Sequence, residues 1–368
     1  MRAIRWFSVV AVVTAIGLMG RTMYAQGTSP AVAASGVVAA DPAVATAPPA
    51  VDPQNCNNGA IAGNACCELP CWHVFGEFLL LRPRNEGIDY AVPINGPIVV
   101  DKIPIQVGPT AALDPQYAPG FRLGFERVLD QCSSISLDYA YYRNDANSGP
   151  VTVAAPFVLQ SMVFNPSSAD AATNFNSASA HKSSSFNLVD LDYHHNLWSC
   201  DGSSINYLIG ARFAQLAQEF DANFKSIISA SANSSVEFDG VGLRLGLDGE
   251  RTIRSGFFLT FMANANLLGG QYSGFYTQSN TNSPIVDTTN LSEGRFLTIL
   301  EAQVAVGWQS SDGHIRTSVG YLVSGWIDVV KPSDFIASMQ ANQYVGTNQV
   351  GNTSLVFDGF TARLELAW

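Results

Sequence analysis

The sequence predicts an all-β protein, a transmembrane antiparallel up-and-down β-barrel of about 10 strands with short turns on the periplasmic side and long extracellular loops. Three observations carry this expectation. From Gly120 onward, apolar and polar residues alternate with period two, which places one kind on each face of a strand. The connections between these stretches are short and long in strict turn, the rhythm of an outer-membrane barrel. Charged residues make up 13% of the chain against 47% apolar, about half the charged share of an ordinary soluble domain.

Residues 1–25 read as a secretory signal. Arg2 and Arg5 precede an apolar run, and the small residue Ala25 offers a cleavage point, although Met23 fits that site poorly. Loss of its three arginines leaves 16 basic against 30 acidic residues, a net charge of −14, which argues against nucleic acid as a partner. Residues 26–71 are an Ala/Pro-rich periplasmic leader with no periodic face to bury. No later stretch has the roughly 18 uninterrupted apolar residues of a membrane helix. The barrel is therefore expected over 72–368, in the outer membrane of a bacterial cell, with the leader and the C-terminus on the periplasmic side.

Strands are expected at about 72–82, 120–129, 134–143, 184–197, 204–219, 236–248, 255–272, 293–308, 314–328 and 354–368. The first ends at Pro83. Tight turns are expected near 130–133, 198–203, 249–252 and 309–313, and long connections at 83–119, 144–183, 220–235, 273–292 and 329–353. Twelve strands follow if residues 90–107, which contain Asn95-Gly96, form another membrane hairpin; Pro93, Pro97, Pro104 and Pro109 oppose that. The last strand shows the alternation best. Val356, Phe360, Ala362, Leu364, Leu366 and Trp368 point one way, and Thr361, Arg363 and Glu365 the other. Leu364, Leu366 and the terminal aromatic Trp368 resemble the signal read by the barrel-assembly machinery. A soluble β-sandwich also alternates, but its strands seldom exceed about ten residues. The four lysines, Lys102, Lys182, Lys225 and Lys331, all fall outside the expected strands.

Inward parity collects a polar set: Glu77, Arg122, Glu126, Asp138, Asp190, Asp192, His194, Arg212, Arg244, Asp248, Glu301, Arg316, Arg363 and Glu365. Such a set either forms interior ion pairs or lines a water path. Ten strands lie near the closed limit of bore. The small inward residues Gly124, Ala140, Gly210, Gly246, Ala305 and Gly320 leave room for a narrow path. The expectation is a narrow or gated pore for small solutes or ions, with a structural or adhesive barrel lacking an open channel as the alternative. Aromatics near strand ends (Trp198, Tyr207, Tyr272, Trp308, Tyr321, Trp326 and Trp368) are expected as interfacial girdles.

No catalytic constellation is evident. His194 lies beside Asp192, but no G-x-S-x-G motif occurs, so no enzyme and no cofactor are expected. Cys56, Cys66, Cys67, Cys71, Cys132 and Cys200 suit disulfides in an oxidising compartment, tying the leader to the periplasmic rim. Zinc competes for the Cys67–Cys71 spacing, but no His follows at ligand distance, and no metal is expected. Outer-membrane lipid, the assembly machinery and small solutes are the expected partners; the oligomeric state is open.

Two segments, EFDGVGLRLGLDGERTIRSGFFLTFMANANLLGG at 237–270 and WHVFGEFLLLRPRNEGIDYA at 72–91, resemble the Legionella-type major outer membrane protein family. The resemblance implies a pore-forming outer-membrane barrel. It rests on patterned Gly, Arg and aromatic residues, and the six cysteines and the Ala/Pro leader depart from it.

Overall fold

The alternation closes into a ring. The computed structural model describes residues 72–99, 103–130, 132–168, 174–200, 202–342, 350–351 and 353–368; the expected signal and leader lie outside them. In chain order the elements are β1 (Trp72–Arg84), β2 (Ile88–Ile94), β3 (Ala111–Leu113), β4 (Ala118–Val128), β5 (Ser133–Asn147), β6 (Val151–Thr152), β7 (Val158–Ser161), β8 (Ser177–Cys200), β9 (Ser203–Lys225), β10 (Ser229–Arg254), β11 (Phe257–Asn280), β12 (Asp287–Gln309), β13 (Ile315–Val329), α1 (Pro332–Asn342) and β14 (Thr353–Ala367). Ten strands pair antiparallel in the order β5-β4-β1-β14-β13-β12-β11-β10-β9-β8, and β5 pairs with β8 to complete the circle. The twelve-strand alternative fails. Ile88–Ile94 leaves the ring and joins β3 and β7 in a separate three-stranded sheet, with Pro93 opposite Leu159.

Outward side chains are apolar and exposed, among them Leu137 at 51%, Leu243 at 69%, Phe296 at 72% and Val319 at 63%. They recur around the ring. An apolar surface of this extent far exceeds what a water-soluble monomer presents, and lipid is the solvent that fits it. A sandwich would bury this face.

The strands run far past the membrane. β10 has 26 residues, against roughly 9–11 needed to cross a bilayer. The expected long connection at 220–235 is mostly strand: β9 reaches Lys225 and β10 begins at Ser229. Polar residues there, such as Asp221, Asn223, Ser231 and Asn233, alternate with Phe220, Ala222, Phe224, Ala230 and Ala232, which face the interior, a weak signal for a strand outside lipid. Lys182 and Lys225 accordingly lie within strands, contrary to expectation. At the opposite end the turns are tight. Ser255 and Gly256, at φ 55° and 82°, make the two-residue link between β10 and β11, the backbone shape that matches strand twist. In the 130–133 turn, the backbone N–H of Cys132 donates to Asp130 Oδ1 at 2.8 Å. That bond, with help from the Ser133 hydroxyl, holds the Asp130 carboxyl below its ordinary pKa.

The loop half of the barrel has an apolar interior. Phe186 packs against Phe357 at 4.6 Å, Tyr142 at 5.2 Å and Trp326 at 6.1 Å between ring centroids, and all four are at most 1% exposed. The expected girdle therefore needs correction. Trp198, Trp308 and Trp368 are exposed, but Tyr272 and Trp326 have inward parity and are fully buried in the core. Position near a strand end misled; parity decides.

Two further pieces fold into the mouth. The β2-β3-β7 sheet contributes Ile88, Tyr90, Leu113 and Leu159 to the same core. α1 lies within the connection expected at 329–353. Pro332 opens the helix, and Asp334 accepts from the Lys331 N–H at 3.2 Å, reaching back to the first turn. Its Phe335, Ile336 and Met339 join the core. Lys331 Nζ and Lys182 Nζ donate to the successive carbonyls of Asn85 and Glu86 at 2.7 and 2.6 Å, pinning the β1–β2 turn against α1 and β8.

Candidate functional site: a charged belt above a blind vestibule

The fourteen inward polar residues sit on the interior faces of their strands, in two levels. The inner level is a belt. Glu77 stands opposite Arg122 on β4 and Arg363 on β14; Arg122 Nη1 lies 3.1 Å from the Glu77 carboxylate, and Gln303 Nε2 donates to that carboxylate at 2.7 Å. Arg212 clamps Asp190 through two parallel bonds of 2.6 Å and also reaches Glu301. Arg244 donates to Glu301 at 2.9 Å and forms ion pairs with Asp190 at 3.1 Å and Asp192 at 2.9 Å, and Asn264 donates to Glu301 at 3.2 Å. Glu301 is on β12 and Arg212 on β9, with β10 and β11 between them in the ring. The contact therefore spans the lumen. Arg212 and Glu301 are 0% exposed.

The inward glycines do not open a path beside the belt. A Cβ on Gly124 would strike Asp138 and Phe75, one on Gly210 would strike Asp192, and one on Gly246 would strike Asn264. Their missing side chains are the space that cross-strand carboxylates, an amide and a ring occupy. Gly210→Ala is expected to destabilise the barrel by about 1–3 kcal/mol through this overpacking, read as a lower urea midpoint of its heat-modifiable gel migration.

Toward the short turns the lumen widens into a cavity of about 500 Å³, lined by Glu126, Asp138, His194, Asp248, Arg316, Arg363 and Glu365 together with belt residues. Arg363 pairs with Glu365 at 2.7 Å, and His73 Nδ1 lies 3.1 Å from Glu365. Arg316 pairs with Glu250 and sits 4.5 Å over the Phe258 ring. The cavity has the belt as its floor and the apolar core behind that. Among the described residues it is a vestibule on the short-turn side of the belt.

His194 is not the partner of Asp192. Asp192 is taken by Arg244, and His194 Nδ1 lies 3.2 Å from Asp248 Oδ1 while its Nε2 lies 3.2 Å from Ser136 Oγ. Asp248 is fixed by Asn206 at 2.7 Å, itself bonded to Asn196 at 2.8 Å. A serine, an imidazole and a carboxylate thus form one chain. Sequence reading missed Ser136 as a member because the three residues belong to β5, β8 and β10. Their shared inward parity near the short turns was the available signal.

Leu364, Leu366 and Trp368 point outward, 50%, 45% and 57% exposed. Among the described residues no group of His, Cys, Asp and Glu is arranged to hold a metal. Cys200 is a free, exposed thiol, so the disulfide expected for it is corrected: it ends β8 opposite Ser203, with its side chain turned to solvent. Cys132 is not free, and what it bonds lies outside the described residues, as do Cys56, Cys66, Cys67 and Cys71.

Comparison with known proteins adds the lineage. No curated protein sequence matches the chain. Among solved structures, the outer membrane protease OmpT of Escherichia coli is 9% identical, with a TM-score of 0.43 over 81% of this chain and 97% of its own. The toluene transporter TodX of Pseudomonas putida is 8% identical, with a TM-score of 0.29 over 80% and 88%. LpxR of Salmonella typhimurium is 7% identical, with a TM-score of 0.24 over 80% and 100%. No function carries across at these identities. The family model described as Legionella pneumophila major outer membrane protein precursor matches residues 64–367, and the chain belongs to that family of outer-membrane proteins.

Proposed function

We propose that this protein is an outer-membrane barrel closed in its resting state, a structural component of the envelope that displays its capped loop end to the outside. The short turns, the barrel termini and the vestibule mouth face the periplasm. One observation carries the reading: the belt spans the lumen with Arg212 and Glu301 fully buried, beneath a core of Phe186, Trp326 and Phe357. A solute would have to break both layers. The loop end offers contact surface, since Ile103 is 81% and Ile285 63% exposed, which suits adhesion to an apolar partner surface.

The refolded protein is expected to be silent in a planar bilayer at all voltages while its gel migration remains heat-modifiable. Steps of stable conductance from the same sample would favour a gated pore. That second reading has one support, the vestibule of about 500 Å³, which already opens the lumen on one side of the belt.

A further inference from the structure

We propose that Ser136 is an activated nucleophile and that the vestibule is a hydrolytic site for small acyl esters carrying a positive charge. The inference is independent of whether the barrel conducts. His194 Nε2 faces Ser136 Oγ at 3.2 Å, and Asp248 Oδ1 faces His194 Nδ1 at 3.2 Å. With the proton on Nδ1 directed at Asp248, Nε2 is free to accept the serine proton, which is the division of roles in serine hydrolases on unrelated folds. Asp248 is in turn oriented by Asn206 at 2.7 Å. All of these residues line one cavity of about 500 Å³, within the size range of small-molecule sites.

The chemistry closes on itself with water as co-reactant. Ser136 Oγ adds to the ester carbonyl carbon as its proton passes to His194 Nε2. The carbonyl re-forms, the bond to the leaving alcohol breaks, and that alcohol takes the proton from His194. Water then adds to the acyl-serine with His194 as base, the ester bond to Ser136 breaks, and a carboxylic acid leaves with the serine hydroxyl restored.

Charge defines the substrate class. In the strand register, Ser136 lies directly between Glu126 on β4 and Asp192 on β8. Asp192 is already paired with Arg244, so Glu126 is the carboxylate that repels an anionic acyl donor and attracts an amine or quaternary ammonium beside the scissile bond. It also opposes the developing oxyanion, so turnover is slow and covalent capture is the sensitive readout.

The test uses the folded full-length barrel, with heat-modifiable migration checked for each variant. A fluorescent fluorophosphonate should label Ser136, identified by peptide mapping, and Ser136→Ala should abolish labelling while Ser318→Ala leaves it unchanged. Asp248→Asn should slow labelling by about 10²–10⁴-fold, the scale of a wrong imidazole tautomer, and Asp248→Glu should recover part of it. With butyrylthiocholine and p-nitrophenyl butyrate as probes, Glu126→Gln should raise KM for the cationic ester and leave the neutral one unchanged. A folded barrel unlabelled at Ser136, or one in which Asp248→Asn reacts at the wild-type rate, overturns the proposal.

Discussion

Glu301→Ala is expected to cost about 3–5 kcal/mol of folding stability, the penalty of removing one member of a buried ion-pair cluster. The carboxylate receives Arg212, Arg244 and Asn264; its removal leaves the two guanidinium groups only Asp190 and Asp192 and exposes donors that have little access to water. Replacing the pair by apolar residues of similar size should cost much less, because the desolvation of both charges then disappears with them. The readout is the urea midpoint of the heat-modifiable form. Asp239, exposed on the outer face of β10, is the comparison: Asp239→Asn should stay within about 0.5 kcal/mol of the parent. Equal midpoints for Glu301→Ala and the parent would mean that water reaches the belt.

Trp326→Ala is expected to cost a similar amount, about 3–5 kcal/mol, through loss of a large buried ring and the cavity it leaves. The indole is fully buried, its Nε1 donates to Ser324 Oγ at 2.9 Å, and Phe186 packs against it. Trp308→Ala is the control. That side chain is 42% exposed on the outer face and loses only contact with lipid, so the two substitutions should differ by several kcal/mol. If both are mild, Trp326 belongs to an interfacial girdle after all.

These two residues also show how far the sequence could be read. Period two assigned the face of every charged residue in the belt, because a strand has two faces and the lipid side tolerates no charge. It equally assigned Trp326 and Tyr272 to the interior, but the habit of placing aromatics at interfaces overrode parity. Pairing across the lumen was not legible. Arg212 could have met any acid on nine other strands, and its contact with Glu301 depends on ring curvature and shear, which no local pattern encodes. The Ser136–His194–Asp248 chain was hidden for the same reason. The extension of β9 and β10 beyond the membrane was lost because strands surrounded by water on one side carry Ser and Asn where lipid would demand Leu. α1 was invisible within a largely polar connection, because the large apolar residues of the helix, Phe335, Ile336 and Met339, face a core supplied by other segments.

The most direct measurement of the closed lumen is labelling by a membrane-impermeant maleimide at two depths, scored site by site by mass mapping in the folded barrel. Thr260→Cys reports the vestibule, and Leu188→Cys, at a position 1% exposed beyond the belt, reports the core behind it. The closed barrel predicts rapid labelling at 260 and none at 188. Comparable labelling at both positions would contradict it, because water and solute would then pass the Arg212–Glu301 level freely.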